Sequence, residues 1–233
     1  MAIVQDNVNK LVLFDIDNTL LNGSECHKLA FNEGIKVAYG VETSIDTIDY
    51  LGMTDMEIIY EVLKIHGFAE QTVVSKLQEC IGIMADTFNK CAFNYQIKVL
   101  DGVKELLDKL ITSRVIIGLV TGNIEPIAWR KLQITGLDSY FSLGGFGSDD
   151  VKRSNLIRLA IRRAADKFDF KFNDNVYVFG DTPRDIRAGK EARVKTVGVA
   201  TGRFTKDQLK ENGADAVFPD LSDTSSVLKV ILE

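Results

Sequence analysis

The sequence predicts an α/β protein in which a Rossmann-like parallel sheet carries an inserted, all-helical cap. Three observations lead to this prediction. Short apolar runs recur along the chain, amphipathic helical patterns separate them, and the stretch 22–94 contains helical patterns alone. The length of 233 residues suits one domain, or one domain with an insertion.

The apolar runs are rich in valine, isoleucine and phenylalanine and do not alternate with polar residues. Such runs are typical of strands that are buried on both faces, as in a parallel sheet. Because helical patterns separate them, we expect an open sheet with helices on both faces. The predicted strands are LVLF (11–14), VIIGLV (115–120), VYVF (176–179), TVGV (196–199) and AVF (216–218).

The stretch 22–94 has apolar residues at three- and four-residue steps, which is the spacing of amphipathic helices. They include Val74, Leu77, Ile81, Met84 and Phe88. The predicted core domain is therefore 1–21 and 95–233, and the predicted cap domain is 22–94. Two crossings of the chain join them and can act as a hinge.

Composition and charge limit the classes of function. Hydrophobic residues make up 45% of the chain and charged residues 26%, as in a globular protein with a real core. The net charge of -5 argues against nucleic acid or an anionic membrane as a partner, because both repel an acidic surface. The N-terminus lacks the pattern of a secretion signal, so we expect a cytoplasmic protein.

The chain has three cysteines, Cys26, Cys80 and Cys91, without the spacing of a metal site. Because their number is odd, the sequence predicts no disulfide framework and a reducing compartment. All three are expected to be small, buried apolar side chains.

Polar motifs follow three predicted strands: DIDNT, TGN and GDTPRD. Ligands of open α/β sheets bind beyond the carboxyl ends of the strands, so Asp15, Asp17, Asp181 and Asp185 should meet in one crevice. Two unit charges about 4 Å apart repel by roughly 4 kcal/mol at an effective dielectric near 20. A divalent cation would remove this repulsion, and ligands that are all oxygen atoms favour Mg²⁺.

These motifs resemble those of the haloacid dehalogenase (HAD)-like hydrolases, in particular the phosphoglycolate phosphatase-like branch with a helical cap after the first motif. DIDNT, the threonine of VTGN, a basic residue before a helix and GDTPRD stand in the family's order, and the resemblance spans essentially the whole chain. It implies a HAD-like core and a Mg²⁺-dependent phosphatase that acts on a small phosphorylated metabolite such as 2-phosphoglycolate. Asn18 stands where the family has glycine, and asparagine tolerates a positive φ.

The resemblance implies a role for each polar residue of the first motif. Asp15 would attack phosphorus and form an aspartyl-phosphate. Asp17 would protonate the leaving oxygen, then take a proton from the attacking water, and offer its backbone carbonyl to the metal. Thr19 would either place a hydroxyl or N–H group near the phosphoryl group or be only a turn residue.

The resemblance assigns the second and third motifs to phosphate binding. Thr121 would hold a phosphoryl oxygen, helped by the N–H groups of Gly122 and Asn123 at a helix N-terminus, although Asn123 is also interpreted as a cap of that helix. One basic residue would neutralise charge on the nucleophile and the phosphoryl group. Lys152 and Arg153 compete for this role; Lys152 is narrowly preferred, and Arg153 is kept as a substrate-binding candidate.

In the last motif, Asp181 is the best candidate for a direct metal ligand. Thr182 and Pro183 are typical of an N-cap and a first helical residue. Asp185 would then lie one turn into the helix and face the metal, through a water molecule.

The loop LGMTD (51–55) bears on the substrate. Related sugar-phosphate mutases carry an arginine, which grips a second phosphate, at about the position of Asp55, and an aspartate would repel one. This counts against one alternative, a mutase. The other alternative, a non-catalytic binding or regulatory protein, is disfavoured because the full set of motif residues described above is intact. Lys28 and Lys36 are available to meet a substrate carboxylate. His27 could face the site, but its preferred interpretation is a surface residue. The sequence leaves the physiological substrate and the oligomeric state open.

Overall fold

The computed structural model describes residues 10–23 and 25–233. The strands of this part of the chain are β1 (Leu11–Phe14), β2 (Leu21–Asn22), β3 (Lys98–Val99), β4 (Ile116–Thr121), β5 (Gly144–Phe146), β6 (Val176–Gly180), β7 (Lys195–Val199) and β8 (Ala216–Phe218). The α-helices are α1 (Glu25–Tyr39), α2 (Asp55–Ile65), α3 (Glu70–Cys91), α4 (Val103–Thr112), α5 (Glu125–Thr135), α6 (Arg153–Phe168), α7 (Pro183–Ala192), α8 (Lys206–Glu211) and α9 (Thr224–Leu232).

Six strands form one parallel sheet in the order β5-β4-β1-β6-β7-β8. Apolar side chains from the two faces of β1 enter separate core clusters, one with Val12 and Phe14 and the other with Leu11 and Leu13. The sheet is therefore covered by helices on both faces, and the predicted fold class is confirmed. The sequence pattern does not predict β5, because three residues with two glycines give no apolar run.

The helices α1, α2 and α3 form the helical segment (residues 25–94). Its apolar side chains pack into a cluster of their own, which also takes in Ile124 and Ile127 of α5. On α3 the structure buries Val73 and exposes the predicted Val74, so the apolar face is shifted by one residue at this end. The segment thus rests on a core helix, and its division from the core as a separate domain stays a prediction.

The two crossings between the core and the helical segment pair with each other. Leu21 lies opposite Val99 and Asn22 opposite Lys98 in the short antiparallel ladder of β2 and β3.

Among the helices of the described ranges, none combines the length and the apolar composition that crossing a bilayer requires.

The prediction of three unpaired cysteines is wrong for two of them. Cys26 at the start of α1 and Cys91 at the end of α3 form a disulfide, and Cys80 is buried and free. The two cysteines are 65 residues apart, and they meet because α1 and α3 pack side by side. Neither their number nor their spacing in the sequence indicates this tertiary contact.

The disulfide predicts a measurable response to reduction. In the denatured but unreduced protein, a thiol reagent should titrate one thiol, that of Cys80. After reduction it should titrate three. Closing a loop of this length limits the unfolded chain, so reduction should lower the free energy of unfolding by about 4 kcal/mol in urea melts. The variant Cys80→Ala should keep this response. Three titratable thiols before reduction would contradict the pairing.

Candidate active site

Strand ends meet at the carboxyl edge of the sheet around β1. The parallel register puts Phe14 beside Leu119 of β4 and Phe179 of β6, so the residues that follow these strands share one crevice. They are Asp15, Asp17, Thr121 and Asp181. On either side of β1 the chain continues in opposite directions across the sheet, which is where open α/β sheets bind ligands.

A buried arginine lies in this crevice. Nη2 of Arg153 is 2.5 Å from Oδ1 of Asp15 and 2.7 Å from Oδ1 of Asp185, and its side chain is only 8% exposed. Burial alone would lower the pKa of the guanidinium, but the attraction of Asp185 and Asp15 raises it above its ordinary value. Arg153 therefore carries its charge inside the acidic cluster.

The structure does not agree with the preference for Lys152. Its side chain is 59% exposed, and its ammonium lies 3.1 Å from Glu191, outside the crevice. Helix α6 begins at Arg153, with Lys152 as its N-cap. Neighbouring residues at a helix start point in different directions, so only one of these two can face the strand ends.

Three carboxylates face one another beside Arg153. Asp15, Asp181 and Asp185 each offer an oxygen, and these atoms lie within 4.8 Å of one another. Burial, with added repulsion from Asp185 and Asp17, raises the pKa of Asp15 to about 7 although Arg153 opposes this. Burial and repulsion from Asp185 and Asp15 raise the pKa of Asp181 to about 9. Arg153 supplies one positive charge, so the three carboxylates cannot all be ionised near neutral pH without a further cation.

This cluster fits a hard divalent cation. Its donors are all carboxylate oxygens, the ligand type that Mg²⁺ prefers. Oδ1 of Asp185 is buried and accepts no well-aligned hydrogen bond within the described residues, although Arg153 is close. A buried charged oxygen without a full set of partners carries a desolvation cost that a cation would remove. The carboxylate of Asp17 lies outside this group of three.

The start of α7 orients Asp185. Thr182 is the N-cap and Pro183 the first helical residue, as predicted. The N–H and Oγ1 of Thr182 both donate to Oδ2 of Asp185, at 3.0 and 2.7 Å, so Oδ1 is turned toward the cluster. Gly180 makes room for this side chain, because a Cβ at this position would lie 2.2 Å from Cγ of Asp185.

Asp17 lies in a different environment from Asp15. Nζ of Lys131 is 2.7 Å from both carboxylate oxygens, and Nδ2 of Asn123 donates to Oδ2 at 2.7 Å. Burial alone would raise the pKa of Asp17, but the attraction of Lys131 and these hydrogen bonds lower it below its ordinary value. The Asp17 carboxylate is therefore ionised near neutral pH.

Asn123 ties the first two motifs together. Besides Asp17, it donates from Nδ2 and from its backbone N–H to Oγ1 of Thr121, at 2.9 and 3.2 Å. Its interpretation as the cap of α5 is wrong, since the N-cap is Ile124 and makes no side-chain cap bond. The Ile124 N–H instead donates to Oδ2 of Asp55, at 2.8 Å, so the helical segment supplies this partner.

Sequence reasoning missed Lys131, and it did not predict the contacts that His27 and Asp55 make here. Nδ1 of His27 lies 3.2 Å from Nζ of Lys131, and Nε2 lies 3.0 Å from Oδ2 of Asp55. The His27 side chain is 11% exposed, so its interpretation as a surface residue is wrong. The available signal for Lys131 was a charged residue on the otherwise apolar face of α5. Asp55 was considered only for its effect on the substrate.

The turn after β1 and the loop after β4 complete the site. Asn18 has a φ of 57°, which agrees with its place at a glycine position. Thr19 is fully buried, and its hydroxyl has no hydrogen-bond partner within the described ranges, so both interpretations of this residue stay open. The carbonyl of Gly122 accepts a bond from the N–H of Asp55 at 2.7 Å. A Cβ at Gly122 would lie 2.3 Å from the carbonyl oxygen of Met53, so the two loops require a glycine here.

A cavity of about 140 Å³ opens over these groups. Its floor includes Asp15, Asp17 and Arg153 of the core. Its walls come from the helical segment, with His27, Lys28, Phe31, Ile45, Tyr50 and Met53. The reactive carboxylates and the side chains of the helical segment thus face the same space.

The fold and the polar groups at its strand ends define a hydrolase with a Rossmann-like core. The chain belongs to the haloacid dehalogenase-like hydrolase family, whose family model matches residues 12–199. The predicted family and the predicted enzyme class, a hydrolase, are confirmed.

Relatives and solved structures agree with this assignment. The pyrophosphatase PpaX of Listeria innocua is 25% identical over 220 residues, which are 94% of this chain and 95% of that protein. A hydrolase from Pseudomonas syringae has a similar structure, with a TM-score of 0.72, 20% identity, and 96% and 99% of the two chains covered. A predicted phosphoglycolate phosphatase from Haemophilus somnus has a TM-score of 0.66 at 20% identity, with 97% and 99% covered.

The raised pKa of Asp181 predicts how stability depends on pH without metal. The folded protein holds this proton up to about pH 9, whereas the unfolded chain releases it near 3.8. The folded state binds more protons in this window, so this residue makes the free energy of unfolding fall as pH rises from about 4 to about 9. In EDTA, the free energy of unfolding of Asp181→Asn should decrease less with rising pH than that of the wild type. At pH 8 the variant should be more stable than the wild type, by on the order of 1–3 kcal/mol.

Urea unfolding at pH 5 and pH 8 measures this effect. The matched control is Asp174→Asn, at an exposed position, which should keep the wild-type pH dependence. Adding Mg²⁺ should stabilise the wild type and the control but not Asp181→Asn. Equal pH dependence in Asp181→Asn and the wild type would contradict the assignment.

Proposed function

We propose that the chain is a Mg²⁺-dependent phosphatase that hydrolyses a small phosphomonoester, similar to 2-phosphoglycolate, through an aspartyl-phosphate. The observation that carries this proposal is the pairing of Asp15, at the end of β1, with Arg153 and two further buried carboxylates. The family and the relative named pyrophosphatase PpaX support phosphoryl transfer as the type of reaction.

In the first step, a carboxylate oxygen of Asp15 attacks phosphorus. The bond from phosphorus to the leaving oxygen breaks, and its electron pair stays on that oxygen. Arg153 holds the nucleophile and offsets the negative charge that gathers there. Oγ1 of Thr121 accepts two bonds from Asn123, so its O–H is free to donate to a phosphoryl oxygen. The predicted phosphate contact of the Gly122 N–H belongs to this proposal, whereas the N–H of Asn123 already donates to Oγ1 of Thr121.

The nucleophile must be ionised before it attacks, and a pKa of about 7 for Asp15 opposes this near neutral pH. Asp15, Asp181 and Asp185, with the backbone carbonyl of Asp17, would hold the Mg²⁺ ion. Bound there, the ion would lower the pKa of Asp15 and offset charge on the phosphoryl oxygens.

Asp17 carries the proton in both steps. Because its pKa is low, it is ionised at rest and can accept the proton of a phosphate monoanion, then deliver it to the leaving oxygen. In the second step, Asp17 takes a proton from the attacking water while the bond between phosphorus and Asp15 breaks. A halide leaves without a proton, so this second aspartate favours a phosphate ester over a carbon–halogen bond.

The proposal predicts phosphate release from p-nitrophenyl phosphate that requires Mg²⁺. EDTA should abolish the release, and Asp15→Asn should lower kcat by a factor of roughly 10⁴ or more, because no other group can replace the nucleophile. The exposed control Asp174→Asn should keep the wild-type rate. Undiminished activity of Asp15→Asn would falsify the assignment of the nucleophile.

The wall of the cavity offers one cation to a substrate carboxylate. Lys28 lines the cavity, and its ammonium lies 2.8 Å from Asp46 and 5.5 Å from the centre of the Tyr50 ring. The hydrogen bond to Asp46 raises the pKa of Lys28 to about 12, so the side chain is charged. The other candidate, Lys36, pairs instead with the exposed Glu42, at 2.6 Å.

We therefore expect Lys28→Met to affect carboxylated substrates selectively. Its KM for 2-phosphoglycolate should rise about tenfold, the value of one charge-assisted hydrogen bond. Its KM for p-nitrophenyl phosphate, which has no carboxylate, should stay the same. Lys36→Met is the matched control and should change neither constant. Equal rises of KM for both esters would rule out this role of Lys28.

The two alternatives have less support. A mutase needs a cation for the second phosphate, but Asp55 stands at that position and its carboxylate already pairs with His27 and the Ile124 N–H. A mutase also isomerises its substrate without net release of phosphate, which the same assay detects. A non-catalytic protein has no need of a buried acidic cluster around Arg153.

A further inference from the structure

Helix α5 buries a lysine on its apolar face. Its other buried side chains are Ile127, Ala128 and Leu132, and Lys131 lies among them with no solvent exposure. A buried ammonium has a large desolvation cost unless it is fully paired, so a leucine or methionine would serve packing better at this position. The lysine therefore has a role other than packing.

The surroundings of Lys131 use all three of its donors. Nζ lies 2.7 Å from the two oxygens of Asp17, 2.6 Å from Oδ1 of Asn123 and 3.2 Å from Nδ1 of His27. An ammonium has three hydrogens and accepts none, so Nδ1 of His27 must be the acceptor. The ring proton of His27 is then on Nε2, and it is donated to Asp55.

We propose that Lys131 is a positioning residue that fixes the Asp17 carboxylate for proton transfer, and that His27 and Asp55 hold Lys131 in place. The role of Asp17 in proton transfer rests on the proposed function. The contacts of Lys131 come from both parts of the fold: Asp17 and Asn123 belong to the core, and His27 and Asp55 belong to the helical segment. The orientation of Asp17 thus depends on residues beyond its own loop.

The carboxylate of Asp17 needs such a partner because it is partly open to the cavity, with 29% of the side chain exposed. Without Lys131, Asn123 would be its remaining hydrogen-bond donor, bound to one oxygen only. The carboxylate could then rotate toward solvent, and a displacement of about 1 Å can reduce a rate by a factor of about 100.

The test is the variant Lys131→Met, which keeps the side-chain length and removes the ammonium. For 2-phosphoglycolate, whose alkoxide leaving group needs a proton, kcat should fall roughly 10- to 100-fold with KM changed by less than about threefold. For p-nitrophenyl phosphate, whose leaving group is stable without a proton, the pre-steady-state rate of aspartyl-phosphate formation should fall much less than for 2-phosphoglycolate, although hydrolysis of the intermediate slows equally for both esters. Lys64→Met, at an exposed lysine of α2, is the matched control and should leave both rates unchanged.

A structural measurement completes the test. A crystal structure of Lys131→Met should show the Asp17 carboxylate turned away from its wild-type position. His27→Phe, which keeps a ring and removes one acceptor of Lys131, is measured in parallel and should cause a smaller loss with the same selectivity, so the test does not depend on the folding of one variant.

Two results would overturn the proposal: an equal loss of the rate of aspartyl-phosphate formation for both esters, as a purely structural role would produce, or an unchanged Asp17 carboxylate in the crystal structure. If the wild type hydrolyses neither ester, the proposed function fails. The crystal structure then still decides whether Lys131 positions Asp17.

Discussion

The pairing of Arg153 with two carboxylates is the interaction on which the rest of the site depends. It brings together the start of α6, the end of β1 and the first turn of α7. A planar guanidinium suits contact with Asp15 and Asp185 at once better than an ammonium does. It supplies only one positive charge, however, and Asp181 adds a third carboxylate. In the proposed mechanism, a further cation is therefore needed for all three carboxylates to be ionised when an anionic phosphate approaches.

The two aspartates of the first motif are two residues apart but lie in opposite environments. The pKa of Asp15 is raised by burial and by neighbouring carboxylates, and the pKa of Asp17 is lowered by Lys131. Groups whose pKa values are pushed apart take different chemical roles. Without a cation, the order of these pKa values is the reverse of what the proposed roles, Asp15 as nucleophile and Asp17 as acid, require. A cation beside Asp15 would lower the pKa of this carboxyl group so that it is ionised. A proton taken from the substrate would let Asp17 act as the acid.

The sequence predicts the features that follow from local pattern. Because parallel strands share one carboxyl edge, the meeting of Asp15 and Asp181 could be predicted from apolar runs alone. The choice between Lys152 and Arg153 could not, since it depends on one residue of helix phase at the start of α6. The contact of Lys131 with Asp17 joins residues 114 positions apart, and no periodic pattern encodes such a contact. The sequence signal for this contact was a charged residue on an otherwise apolar helix face.

The loop of the helical segment that contacts the core also supplies contacts to the residues around Asp17. The Asp55 carboxylate accepts a hydrogen bond from the Ile124 N–H, and the Asp55 N–H donates to the carbonyl of Gly122. The same carboxylate pairs with His27, which contacts Lys131. The same polar contacts therefore hold the helical segment against the core and orient the Asp17 carboxylate. An arginine in place of Asp55 would remove a partner from α5 and from His27 together. Under the proposed function, a cation for a second phosphate at this position would therefore disturb the group that carries the proton.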